Sequence, residues 1–331
     1  MITLKKQPDR DFLILNLTDP QLDDEEWDKY RYRHTIETTL NELIERVKPG
    51  LITVSGDIAW AGQRVSYQKF ADLIDSYGIP WAPVWGNHDN QGGPDEVNYV
   101  ADLYLSYANC VYEKGDPAMG NANYVIRIEE DGKPVTGVFM IDSHDHSPWV
   151  NEKGEDTSEW AKLDPIQLDW YREQVNALKA DGCNDSAIVL HIPIYAYREA
   201  AAAAFREGFD LKAIKPEESY GHACWNEGYT DSYGVMYEGI CSYPADEGMM
   251  DLICELGSTR HVVCGHDHVN STVIQYRGVK LIYGLKTGLG CYYNELLNGG
   301  TVLKVTKDGV TDVWHESVPI PADCLKKEED E

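Results

Sequence analysis

Residues 51–57 read Leu-Ile-Thr-Val-Ser-Gly-Asp. Leu51 to Ser55 is a mostly apolar run of strand length. It ends at a glycine, which turns sharply, and then at a carboxylate. The same pattern recurs on both sides. Upstream, Phe12 to Leu17 runs into Thr18-Asp19-Pro20, and downstream Trp81 to Trp85 runs into Gly86-Asn87-His88-Asp89. Between these runs, Ile36, Leu40, Leu43, Ile44 and Val47 keep helical spacing up to a stop at Lys48-Pro49-Gly50, and Phe70, Leu73 and Ile74 mark a second helix. Residues 23–33 read as a polar loop. A β-α-β-α-β rhythm implies parallel strands buried on both faces, with a ligand site beyond their carboxyl ends. All three strands end there in potential metal ligands or acid–base groups.

Further along, Tyr124 to Ile128 and Val135 to Ile141 read as strands around a turn at Glu130-Asp131-Gly132-Lys133. Ile166, Trp170, Val175 and Leu178 mark a helix, and Ala187 to Leu190 is a strand ending at His191. Residues 195–245 have weak periodicity, apart from helix-prone Ala200 to Ala204, and read as a lid or substrate loop inserted in the domain. Met249, Met250, Ile253 and Leu256 form a helix. Val262 to Cys264 is a strand ending at Gly265-His266-Asp267-His268. The remainder is β-rich: 272–275, 279–283, 301–305 and 310–314, the last pair joined at Asp308-Gly309. One domain over 1–320 is expected, with a frayed acidic tail at 321–331.

The 331 residues are 43% hydrophobic and 26% charged, ordinary for a packed globular chain. The net charge of −27 is not ordinary. Such a surface repels a phosphate backbone, which argues against nucleic-acid polymers as partners. A phosphate-processing site on it needs local positive charge, which bound metal ions supply. Neither a secretory leader nor a membrane span is visible, and no cysteine pair is spaced C-x-x-C; reduced thiols in the cytoplasm fit best. The nine tryptophans are expected mostly in the core.

Taken singly, the groups at the strand ends have plain structural readings. An aspartate after a strand is usually a cap or turn residue, and a buried histidine such as His191 is usually a satisfied core residue. His266 and His268, on alternate positions after a strand, are harder to explain by packing. Together, two carboxylates, one amide and three imidazoles suit manganese, iron or zinc better than calcium. One carboxylate can bridge two ions roughly 3.5–4 Å apart, and such a pair activates a water and neutralises a transferring phosphoryl group.

The ordered set Asp19-Pro20-Gln21, Gly56-Asp57, Gly86-Asn87-His88-Asp89, His191 and Gly265-His266-Asp267-His268 resembles the calcineurin-like metallophosphoesterase superfamily. His191-Ile192-Pro193, Gly265 to Asn270 and Tyr283-Gly284 to Thr287-Gly288 are similar to its purple-acid-phosphatase-like branch. The resemblance implies a four-layer α/β/β/α sandwich with two central mixed sheets. It also implies one metal on Asp19, Asp57 and His268, and a second on Asp57, Asn87, His191 and His266. His88 then assists the leaving oxygen, with Asp89 holding it. The implied reaction is hydrolysis of a small-molecule or phosphoprotein phosphate ester, monoester preferred, by in-line attack of an activated water. Small diesters such as cyclic nucleotides, or a non-catalytic metal-binding scaffold, are the alternatives.

Two positions depart from the pattern. Gln21 stands where the superfamily commonly has histidine, and amide oxygen is the weaker donor. Trp60 stands where purple enzymes have a tyrosine ligand, and indole nitrogen binds no metal. The first metal is therefore expected to be held more loosely than the second. Tyr195, Tyr197, His222, Trp225 and Asn226 are candidates for the substrate wall, the alternative being a packed aromatic loop. His144 and His146 are expected to cap a loop, with substrate contact as the alternative.

Overall fold

The computed structural model describes residues 1–325. The first half of the chain holds strands β1 (Ile2–Lys5), β2 (Phe12–Leu17), β3 (Leu51–Ser55), β4 (Trp81–Val84), β5 (Tyr124–Glu130) and β6 (Lys133–Met140). Its helices are α1 (Asp24–Trp27), α2 (Tyr30–Val47), α3 (Arg64–Asp75), α4 (Asn87–Asn90) and α5 (Pro94–Leu105). A hairpin follows, β7 (His146–Val150) and β8 (Asp156–Trp160), then α6 (Pro165–Ala180), β9 (Ser186–Val189), α7 (Ala196–Ala204) and α8 (Met249–Leu256). The chain ends with β10 (Thr259–Cys264), β11 (Val273–Tyr276), β12 (Val279–Tyr283), β13 (Gly299–Thr306) and β14 (Gly309–Ser317).

Two mixed sheets face each other. One has the order β1-β5-β6-β9-β10-β12-β11, the other β14-β13-β2-β3-β4. In the second, β2, β3 and β4 are parallel, as the β-α-β-α-β rhythm requires, while β13 returns antiparallel on the free edge of β2. Side chains alternate strictly across the larger sheet. Val138, Met140, Ala187, Val189, Val263 and Ile282 join the core shared with the smaller sheet and with α2, α3 and α5. Their neighbours Phe139, Ile141, Ile188, Leu190, Val262, Leu281 and Tyr283 point the other way, into a second core closed by α6, α7 and α8. Period-2 alternation of apolar residues on both faces is what a sheet buried on both sides demands. The result is a four-layer α/β/β/α sandwich. Among the described residues, no helix is long and apolar enough to cross a membrane.

Several local expectations need correction. Residues 23–33 are not a loop: Asp23 caps α1 through its side chain, Trp27 is buried, and α2 already begins at Tyr30. The 195–245 segment carries α7, and much of it packs on the second core through Trp225, Val235 and Ile214. A tail beginning at 321 starts too early, because Cys324 is buried beside Leu289 and Ile320; 326–331 lie outside the described residues. The tryptophans divide: Trp27, Trp81, Trp85 and Trp225 are buried, whereas Trp60, Trp149, Trp160, Trp170 and Trp314 are only partly so. All eight cysteines are free.

Candidate metal centre

The smaller sheet delivers Asp19 from the end of β2, Asp57 from the end of β3 and Asn87 after β4. The larger sheet delivers His191 after β9, and His266 and His268 after β10. The site thus lies on the seam between the sheets, where both present the carboxyl ends of parallel strands. Asp19, Gln21, Asp57 and His266 all adopt left-handed backbone, with φ of 52, 45, 50 and 77°. This costs a non-glycine residue about 1–2 kcal/mol, a strain concentrated at functional turns. Two glycines allow the close approach. A Cβ on Gly86 would overlap Asp57 Oδ1, and one on Gly265 would overlap Thr18 Oγ1.

Two triads of potential ligands result, Asp19–Asp57–His268 and Asp57–His191–His266, with donor atoms in each within 4.8 Å of one another and every residue buried. Asp57 belongs to both. Imidazole orientation is fixed from behind. His191 Nδ1 donates to the Ser55 carbonyl at 2.8 Å, and His268 Nδ1 donates to the Tyr292 carbonyl at 2.9 Å. Each Nε2 is then left facing oxygen: His191 Nε2 is 2.9 Å from Asn87 Oδ1 and 3.3 Å from Asp57 Oδ2, and His268 Nε2 is 3.4 Å from Asp19 Oδ1. A lone pair directed at a carboxylate is repulsive unless a cation lies between them, so this donor set fits metal ions. Buried acceptors without partners point the same way: Gln21 Oε1 and His266 Nε2.

The protonation states agree. Burial alone would raise Asp57, but the His191 charge and hydrogen bond hold it down to about 2. Asp19 is pushed further down, against burial, by His268 and His191. Burial would lower His191, yet Asp57 and Asp19 raise it to about 10; without metal, a proton takes part of the cation's place. Burial and the neighbouring His191 lower His266 to about 3, leaving it a neutral donor.

The family model for calcineurin-like phosphoesterases matches residues 12–270. The chain belongs to the calcineurin-like phosphoesterase family. It is 26% identical over 292 residues to "Probable inactive purple acid phosphatase 28" of Arabidopsis thaliana, covering 80% of this chain and 65% of that protein. It is 24% identical over 295 residues to "Phosphatase DCR2" of Saccharomyces cerevisiae, covering 81% of this chain and 44% of that one. The chain therefore spans less than two thirds of the length of these relatives. Its likeness to them puts it in the purple-acid-phosphatase-like branch of the family. A dimetal phosphatase from Danio rerio shares the fold, with a TM-score of 0.52 and 13% identity over 94% of this chain and 99% of that one. Calcineurin-like phosphoesterases use two divalent metal ions, and the two triads are the residues here that fit them.

The geometry brings Asp19, Gln21, Asp57, Asn87, His191, His266 and His268 together. Gln21 Nε2 donates to Asp57 Oδ2 at 2.9 Å, so its amide rests on the carboxylate common to both triads. His88 sits beside them, its N–H on Asp57 Oδ1 at 2.9 Å and its Nε2 3.9 Å from Asp57 Oδ2. Asp89 does not hold the His88 ring. Its carboxylate instead accepts from the N–H groups of Ile58 and Gly86 and from the Tyr67 hydroxyl at 2.6 Å, tying the β3 and β4 turns together. The ring is set by Gln91, whose Oε1 lies 3.0 Å from Nδ1. Asp89 thus braces the two turns rather than the His88 ring.

The expected substrate wall is also corrected. Trp225 is buried, stacks on Phe205 and donates to the Ser219 carbonyl. Asn226 ties its loop to Ala203 and Phe205, and His222 accepts the Cys224 N–H. Tyr197 is core, its hydroxyl on the Val262 and Ile282 carbonyls, and Tyr195 caps α7. His144 bonds Gln167 at the start of α6, as a loop-capping residue does. Sequence reading missed Lys286, whose buried ammonium donates to the Asp19 carbonyl at 2.6 Å and is lowered to about 8 by burial, against the pull of Asp19. No periodicity marks it. It lies in the Tyr283 to Gly288 segment, whose resemblance was visible.

Proposed function

We propose that this chain hydrolyses phosphate esters, monoesters in preference to diesters, with Asp19, Asp57 and His268 holding one divalent transition-metal ion and Asp57, Asn87, His191 and His266 holding the other. The observation that carries this reading is the pair of buried triads sharing Asp57. When bound, two such ions supply the positive charge a chain of net charge −27 lacks and make water a nucleophile at neutral pH.

The chain's own groups supply the rest. Gln91 accepts from His88 Nδ1–H, so Nε2 carries a proton only in the imidazolium form, which can pass it to the leaving alcohol oxygen. Lys286 offsets part of the carboxylate charge from behind Asp19. Gln21 Oε1, buried and unpartnered, is the available extra donor to the first ion.

A second reading, a metal-binding scaffold without turnover, draws support from the word "inactive" in the Arabidopsis relative's name and from Gln21. The presence of His88 and both triads favours catalysis. Metal analysis of the purified protein, with rates on paired aryl mono- and diesters, tests both. Two bound ions and faster monoester hydrolysis are expected. Bound metal with no hydrolysis of either substrate supports the scaffold.

A further inference from the structure

Three aromatic rings from three separate segments rest on the histidines of the centre. Trp60, between β3 and α3, lies 4.0 Å from the His88 ring; Trp160, at the end of β8, lies 4.4 Å from His266; Tyr292, between β12 and β13, stacks on His268 at 4.2 Å. His266 and His268 are buried, whereas Trp60 and Trp160 are half-buried and Tyr292 is 45% exposed. The rings therefore lie between the metal-binding histidines and solvent. None of the three belongs to either hydrophobic core.

We propose that Trp60, Trp160 and Tyr292 form an aromatic collar that selects phosphate esters whose alcohol carries a flat, unsaturated ring. The inference rests on the phosphoesterase reading and names its substrate class. With the phosphoryl group at the triads, the alcohol of the ester comes within reach of these side chains, each of which rests on a histidine of the centre. Aromatic faces and edges attract a planar π-system beyond simple area burial, and a puckered saturated ring of the same size lacks that attraction. Trp160 reaches the site on the β7–β8 hairpin, which pairs with neither large sheet. His146 packs at 4.9 Å against that indole. The neighbouring Trp149 turns instead to Tyr243.

The test compares benzyl phosphate with cyclohexylmethyl phosphate, which differ in ring planarity while both leave as primary alcohols. The manganese-loaded chain is expected to favour the benzyl ester in kcat/KM by about 3–10-fold. Trp160→Ala and Tyr292→Ala should each move that ratio towards one, and Trp149→Ala should keep it. A wild-type ratio of one, or variants that slow both esters in proportion, overturns the collar: the rings then only brace the histidines. Hydrolysis of neither ester sinks the phosphoesterase reading alone. In that event, quenching of tryptophan fluorescence by benzylphosphonate against cyclohexylmethylphosphonate decides the collar, with tighter benzyl binding expected and equal binding overturning it.

Discussion

Gln21 departs most from its family's pattern, and its surroundings give that departure a physical consequence. Its Oε1 is a buried oxygen without a partner, and its Nε2 sits on Asp57 Oδ2. Amide oxygen is a weaker donor than imidazole, so manganese titration of apo protein should give two unequal sites. Gln21→His should tighten the weaker one by about tenfold, a change of about 1.4 kcal/mol. Two equally tight sites in the unaltered chain would refute this. His88 belongs to neither triad, so His88→Ala should keep both metals by elemental analysis while kcat falls by about 10²–10⁴-fold. At this scale much was legible: Asp19, Gln21, Asp57, Asn87, His191, His266 and His268, expected as ligands, lie close together, because topology carries the ends of apolar strands to one rim. Asp89 was misread because adjacency in sequence suggested contact with His88, whereas α4 turns its carboxylate back to the Tyr67 hydroxyl. Lys286 and Tyr292 were invisible because nothing local announces that a lysine is buried or that a tyrosine lies against a ligand.

At the scale of elements, the turns after strands set the chemistry. The clash of a Gly86 Cβ with Asp57 involves two short, constrained turns that share Asp89 and cannot yield cheaply. Gly86→Ala should therefore lose at least one ion per chain while circular dichroism stays native. A second contact joins elements of different sheets. Asp185, just before β9, accepts from Thr136 Oγ1 on β6 at 2.6 Å and from the Val310 N–H on β14 at 2.9 Å. Burial raises its carboxyl from 3.8 to about 6, although both bonds oppose this. The folded form thus holds the proton more tightly than the unfolded chain. Stability from that proton is full below pH 3.8 and is lost as pH rises to about 6, by about 3 kcal/mol at most. Asp185→Asn keeps the accepting oxygen, so its Tm should exceed that of the parent above pH 6, with the gap closing towards pH 4. The principal strands and long helices could be read from apolar periodicity. α5 could have been, since Val97, Val100, Ala101 and Tyr104 are its buried stripe behind Pro94 at the first helical position. The β7–β8 hairpin was missed because its alternation is mostly exposed, although its loop does carry a turn signal in Asn151 and Gly154.

For the whole molecule, the proposed metal site on the seam between the sheets couples metal binding to stability. Asp19, Asp57 and Asn87 come from one sheet and His191, His266 and His268 from the other, so ions bound there hold the two halves together. With metal at about a hundredfold above its dissociation constant, each site adds about 2.7 kcal/mol to the folded state. A chelator should lower Tm by about 5–10 °C, and added manganese should restore it. An unchanged Tm would mean that the triads stand preformed and hold no ion.

The return of β13 to the free edge of β2 has a consequence for how the chain is made. Phe12–Leu17 leaves the ribosome almost three hundred residues before its partner Gly299–Thr306. Through that interval one margin of β2 has its peptide groups unpaired, open to pairing with a neighbouring nascent chain. A stop codon just before β13 would keep all of the proposed metal ligands and still leave that margin bare.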